Sequence, residues 1–71
     1  MSSLQKYLVE FFAKPNAPTQ REIADKARVS RVFLNKIVRG HSSPSIPIAE
    51  RIADATGKKL SAILKKYETV A

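Results

Sequence analysis

Apolar residues along this chain recur at intervals of three, four and seven, with no run of strict alternation, so the pattern predicts helices and no strands. Five helices can be drawn. The first opens at Ser2 or Ser3, with Gln5 completing a capping box from Ser2, and its stripe is Leu4, Tyr7, Leu8, Phe11 and Phe12. Pro15 ends it by disfavouring helical geometry at Lys14, and 14–18 reads as a stiff connector. The second begins at Thr19, where Thr19 and Glu22 form a capping box, and buries a narrow stripe of Ile23, Ala24 and Ala27. After a short turn at Arg28 and Val29, Ser30 caps a third helix that runs to about Arg39 and stops at Gly40. Ser45 caps the fourth, with Pro47 in its first turn and a stripe of Ile46, Ala49, Ile52 and Ala53, and Gly57 ends it. The fifth carries Leu60, Ile63, Leu64 and Tyr67.

Composition narrows the class. A chain of 71 residues fits one domain, 1–71, and folding it buries about 60% of its surface, which supports one small core. There is no Cys, so disulfides, thiolate metal sites and thiol nucleophiles are excluded, and a reducing, cytoplasmic setting suits the chain. The apolar stretches are too short for a signal peptide or a membrane span. At 44% hydrophobic residues, the chain is too apolar for a disordered cationic tail.

Charge singles out one segment. The net charge of +7 divides into +1 over 1–27, +2 over 46–71, and +4 over 28–45, where Arg28, Arg31, Lys36 and Arg39 stand with no acid among them. A solvated helix face ordinarily mixes signs, so this block predicts a negatively charged partner. Two short helices joined by a turn of three to four residues, the second one basic, match a DNA-binding helix-turn-helix over about 19–39.

Face by face, the third helix turns Leu34 and Ile37 inward and Val32, Asn35, Lys36 and Arg39 outward, with Arg31 and Phe33 on the edges. Val32 is either an ordinary exposed residue or a contact for a thymine methyl. Phe33 is read as at least partly core. Arg31 has two open roles, a bidentate bond to guanine or a phosphate contact. Asn35 reaches a base, a phosphate or only solvent. At the start of the second helix, Gln20 sits among free amides at a positive dipole end, a place suited to phosphate. Arg28, Ser30, Arg39, His41, Ser42 and Ser43 are further phosphate candidates, with no metal role expected for His41.

The residues themselves resemble a known family. Thr19-Gln20-Arg21-Glu22-Ile23-Ala24, Val29-Ser30-Arg31, Lys36-Ile37-Val38-Arg39-Gly40 and Pro44-Ser45-Ile46 are similar to the Cro/C1-type (Xre-like) helix-turn-helix family, and Ile52-Ala53-Asp54-Ala55-Thr56-Gly57 resembles the end of its fourth helix. The resemblance covers about 4–64. It implies an all-α, five-helix, lambda-repressor-like domain whose recognition helix, about 30–39, enters the major groove of double-stranded DNA. It places base-reading side chains at Arg31, Val32 and Lys36 and a phosphate grip at Gln20. Four positions depart from the family: Arg28 stands where Gly is usual, Val38 where an acid often pairs with a base on the first helix, Ala17-Pro18 where Gly-Leu precedes the motif, and Lys59 where Ser often caps the last helix.

The function read from this is a Cro-like repressor that binds a pseudo-palindromic operator as a weak homodimer through Leu64, Tyr67 and Val70. Two-domain repressors carry a further dimerisation domain, for which this sequence offers no residues. The alternative is an antitoxin of the same fold. Catalysis is not expected with one His, no Cys and no paired carboxylates on a shared face, and neither a cofactor, a small-molecule ligand nor a membrane partner is expected.

Overall fold

The computed structural model describes residues 3–67, Tyr67 by its backbone alone. It contains the five anticipated helices: α1 Ser3–Ala13, α2 Gln20–Ala27, α3 Arg31–Val38, α4 Ile46–Ala55 and α5 Leu60–Tyr67. No strand occurs among the described residues. Every helix contributes to one core, in which Leu8, Ile23, Leu34, Ile37, Ile52 and Ile63 are fully buried. Ala24, Ala27, Ala49 and Ala53 fill the seams, where small side chains let backbones approach closely. α2 packs on α3 and α4, and α1 lies across α3 and α5.

Three helices end in the same hydrogen-bond pattern. Beyond α3, Gly40 N–H donates to Ile37 O and His41 N–H to Lys36 O, at 3.1 and 2.8 Å. Beyond α4, Gly57 N–H donates to Asp54 O and Lys58 N–H to Ala53 O, at 3.0 and 3.2 Å. Beyond α2, Arg28 N–H donates to Asp25 O and Val29 N–H to Ala24 O, at 3.2 and 3.0 Å. Each is a Schellman motif, which requires a left-handed residue at its pivot. Gly40 and Gly57 supply it at φ +81° and +87°, whereas Arg28 is held there at φ 59°, ψ 43°. An L side chain in that region costs about 1 kcal/mol.

The helix starts differ in detail from the sequence reading. Thr19 Oγ1 accepts from Glu22 N–H at 3.1 Å, but the return bond from the Glu22 side chain is not formed. Glu22 stays exposed, where its charge still favours the α2 N-terminus. Ser45 has cap geometry at φ −66°, ψ 164° but makes no side-chain bond. Pro47, two residues on, lacks one of the amides such a bond would use. Ile46 is not core: it is 72% exposed. As the first residue of α4 it tilts its side chain back toward the N-terminus, away from the buried stripe of Ala49, Ile52 and Ala53.

Two polar ties bind α1 to its neighbours. Gln5, buried, donates its Nε2–H to the carbonyl of Val38 at 3.3 Å. This bond joins α1 to α3 at Val38, where the family would use an ion pair. Tyr7 Oη lies 2.8 Å from Thr56 Oγ1, which itself donates to Ala53 O at 2.6 Å. With the threonine proton committed to that carbonyl, Tyr7 is the donor. Lys58 Nζ stands 5.9 Å from the Tyr7 ring centroid, within cation–π range.

Candidate nucleic-acid interface

α2 and α3 meet through Ile23, Ala24, Ala27, Leu34 and Ile37, all buried. That contact fixes which face of α3 is left outside. Ser30 Oγ accepts from Phe33 N–H at 3.0 Å, so α3 starts one residue later, at Arg31. Val32 and Lys36 then stand exposed on the outer face, with Arg31 exposed at its edge and Arg39 at the C-terminal end. Val32 is 64% exposed, a branched apolar side chain on a face that otherwise carries cations and an amide. Phe33 is half-buried and packs against the core, as the sequence implied.

At the edge of this face lies a contact that the sequence did not reveal. Asn35 Nδ2 donates to Gln20 Oε1 at 3.2 Å, joining the middle of α3 to the first residue of α2. Both side chains are half-buried. Two phosphate candidates thus stand at helix starts, Gln20 as the first residue of α2 and Ser30 as the cap of α3. Past Gly40, the loop presents His41 and Ser43 exposed and Ser42 half-buried.

Arg28 lies elsewhere. It follows the carboxyl end of α2, about 12 Å along the helix axis from Gln20 at 1.5 Å per residue. There it lines an open groove of about 860 Å³ with Phe11, Pro18, Lys26, Arg51 and Asp54, a groove to which α3 contributes no residue. Arg51, on α4, closes the turn beside it: its Nε–H donates to Ala27 O at 2.9 Å and its Nη2–H to Arg28 O at 2.6 Å. A cation bonded to the last carbonyls of a helix also meets the negative end of its dipole.

On α5, Leu64 is 36% exposed, beside the fully buried Ile63. The Tyr67 side chain and Val70, the other residues assigned to a dimer contact, lie outside the described residues. No helix among the described residues is long and apolar enough to cross a membrane.

The outward side chains of α3 offer donors and one apolar contact, and the Asn35 amide oxygen is the one acceptor among them. Such a surface suits duplex DNA, with its acceptor-rich guanine edge, thymine methyl and phosphates. No curated protein and no solved structure matches the chain. A family model described as Helix-turn-helix matches residues 19–63, from the α2 cap into α5. The match takes in more than half of the chain and the whole of the α2–turn–α3 unit, so this protein belongs to the Cro/C1-type helix-turn-helix family of DNA-binding transcription regulators.

Proposed function

We propose that the protein is a Cro-like transcriptional repressor that binds a pseudo-palindromic operator as a homodimer, with α3 in the major groove of each half-site. The observation that carries this reading is the exposed, acid-free outer face of α3, with Val32 and Lys36 one turn apart on it and Arg31 exposed at its edge. Arg31 reads guanine, Val32 meets a thymine methyl, and Lys36, one turn further on, reads an adjacent base. Gln20, Ser30, Arg39, His41, Ser42 and Ser43 hold the phosphates on either side. Arg28, at the far end of α2, is not needed in that set.

The dimer follows from readout. One recognition helix contacts a few base pairs, and each mismatch costs only about 1–3 kcal/mol, too little to single out a site in a genome. A second copy doubles the readout and sets half-sites about 34–36 Å apart on one face of the duplex. The half-exposed Leu64 supports a contact at α5, continued by Tyr67 and Val70. Selection of bound duplexes from a random pool tests the proposal. A motif with two-fold symmetry and two protein copies per site is the expected result. A motif without symmetry, bound by one copy, would rule out the dimer.

A further inference from the structure

The hydrogen bond between Asn35 and Gln20 assigns these two side chains unequal tasks. We infer that Asn35 is a positioning residue: it holds the Gln20 amide so that its NH2 group, not its oxygen, is presented to a DNA phosphate. The inference rests on the DNA-binding reading above and refines one site within it.

A side-chain amide has a donor end and an acceptor end that differ little in shape. Phosphate oxygens accept and do not donate. An amide free to turn over therefore meets phosphate half the time with the wrong end. Here the Gln20 oxygen is occupied by the Asn35 Nδ2–H at 3.2 Å. The Gln20 Nε2, at the first residue of α2, makes no hydrogen bond among the described residues. The neighbouring Thr19 oxygen accepts from Glu22 N–H and makes no bond to the Gln20 amide. Both Gln20 and Asn35 are half-buried, which limits their rotamers before DNA arrives. Fixing a side chain in its bound form beforehand removes an ordering cost from association.

A positioning role and a base-reading role for Asn35 give different results in a double-mutant cycle. Binding would be measured at fixed salt to a duplex enriched from a random pool by the wild-type protein, and thermal unfolding would verify that each variant folds. Gln20→Ala removes the phosphate bond and is expected to weaken binding roughly tenfold. Asn35→Ala leaves the Gln20 amide free and is expected to weaken it roughly threefold, with the selected base preference unchanged. In the Gln20→Ala background, Asn35→Ala should have no further effect. Asn35→Asp keeps the shape but offers only acceptors. It should turn the Gln20 oxygen outward and weaken binding more in the wild-type background than beside Gln20→Ala, where only its added charge acts.

Equal losses from Asn35→Ala in both backgrounds, or a changed base preference, would overturn the positioning role and leave DNA binding intact. No loss from Gln20→Ala would overturn it too. A wild-type protein that enriches no duplex would overturn both this inference and the reading beneath it.

Discussion

The Arg51 guanidinium of α4 donates to the carbonyl of Arg28, 2.6 Å away, and to that of Ala27, 2.9 Å away. One cation thus sits against the carbonyls of another cation's turn. The arrangement works because the contact is to backbone oxygen, where the α2 dipole is negative. It ties α4 to the link between the two helices of the DNA-binding motif.

Removing this tie should cost stability. Arg51→Ala loses both bonds and is expected to destabilise by about 1–2 kcal/mol, since the carbonyls keep partial access to water. For a domain of this size each kcal/mol lowers the melting temperature by about 4–8 °C. Arg51→Lys, with a single ammonium in place of a planar fork, should recover only part of the loss. Melting curves unchanged by Arg51→Ala would show that the turn needs no clamp.

Arg28→Gly should act in the opposite direction. It relieves the positive φ that Gly40 and Gly57 accommodate freely, while the Arg28 carbonyl remains to receive Arg51. Denaturant midpoints are expected to rise, by about 0.5–1 kcal/mol of stability. Specific DNA affinity should barely change if Arg28 is outside the phosphate set. A large loss of affinity would put it back in.

The two glycine pivots should respond unequally to alanine. A Cβ on Gly57 meets nothing within 4 Å, so Gly57→Ala bears the left-handed backbone cost alone, about 1 kcal/mol. A Cβ on Gly40 would lie 2.8 Å from Gln5 Nε2, the atom bonded to Val38 O. Gly40→Ala must also displace that bond and is expected to cost about 1 kcal/mol more. Equal destabilisation in chemical denaturation would mean that Gln5 moves aside freely.

DNA binding should separate into two components. Arg31, Lys36 and Arg39, in a segment without acids, predict a steep salt dependence. If a dimer neutralises roughly 6–10 phosphates, affinity should fall about 10³–10⁵-fold between 50 and 200 mM salt. Arg39→Ala should weaken specific and random duplexes alike. Val32→Ala should cost about 1 kcal/mol at a thymine and abolish discrimination against uracil, which lacks the methyl. A flat titration, or a Val32→Ala variant that still distinguishes the two bases, would contradict the assignment.

What the sequence made legible was set by period and by punctuation. Leu34 and Ile37 could be placed in the core from spacing alone, and Pro15, Gly40 and Gly57 marked helix ends because each restricts or frees one backbone angle. The outer face of α3 was readable as the complement of that core. Contacts between distant side chains were not. Gln5 with Val38, Tyr7 with Thr56, Asn35 with Gln20 and Arg51 with Arg28 span 33, 49, 15 and 23 residues, and no local pattern encodes such pairings. Ile46 misled for a related reason. Its spacing to Ala53 is helical, but whether a first-turn residue is covered depends on what the rest of the chain puts beside it.

The bonds from Gln5 and Tyr7 bear on how the protein opens. α1 precedes the segment that matches the family, yet it holds Val38 at the end of α3 and Thr56 just past the end of α4. Detaching α1 exposes Leu4 and Leu8 and releases both helix ends in the same event. The central amides of α1 and α3 should therefore exchange with deuterium at a common rate, as one cooperative unit, while the 41–45 loop exchanges freely. The recognition helix would then have no partly loosened state of its own: it is either held rigid for reading DNA or lost together with the first helix.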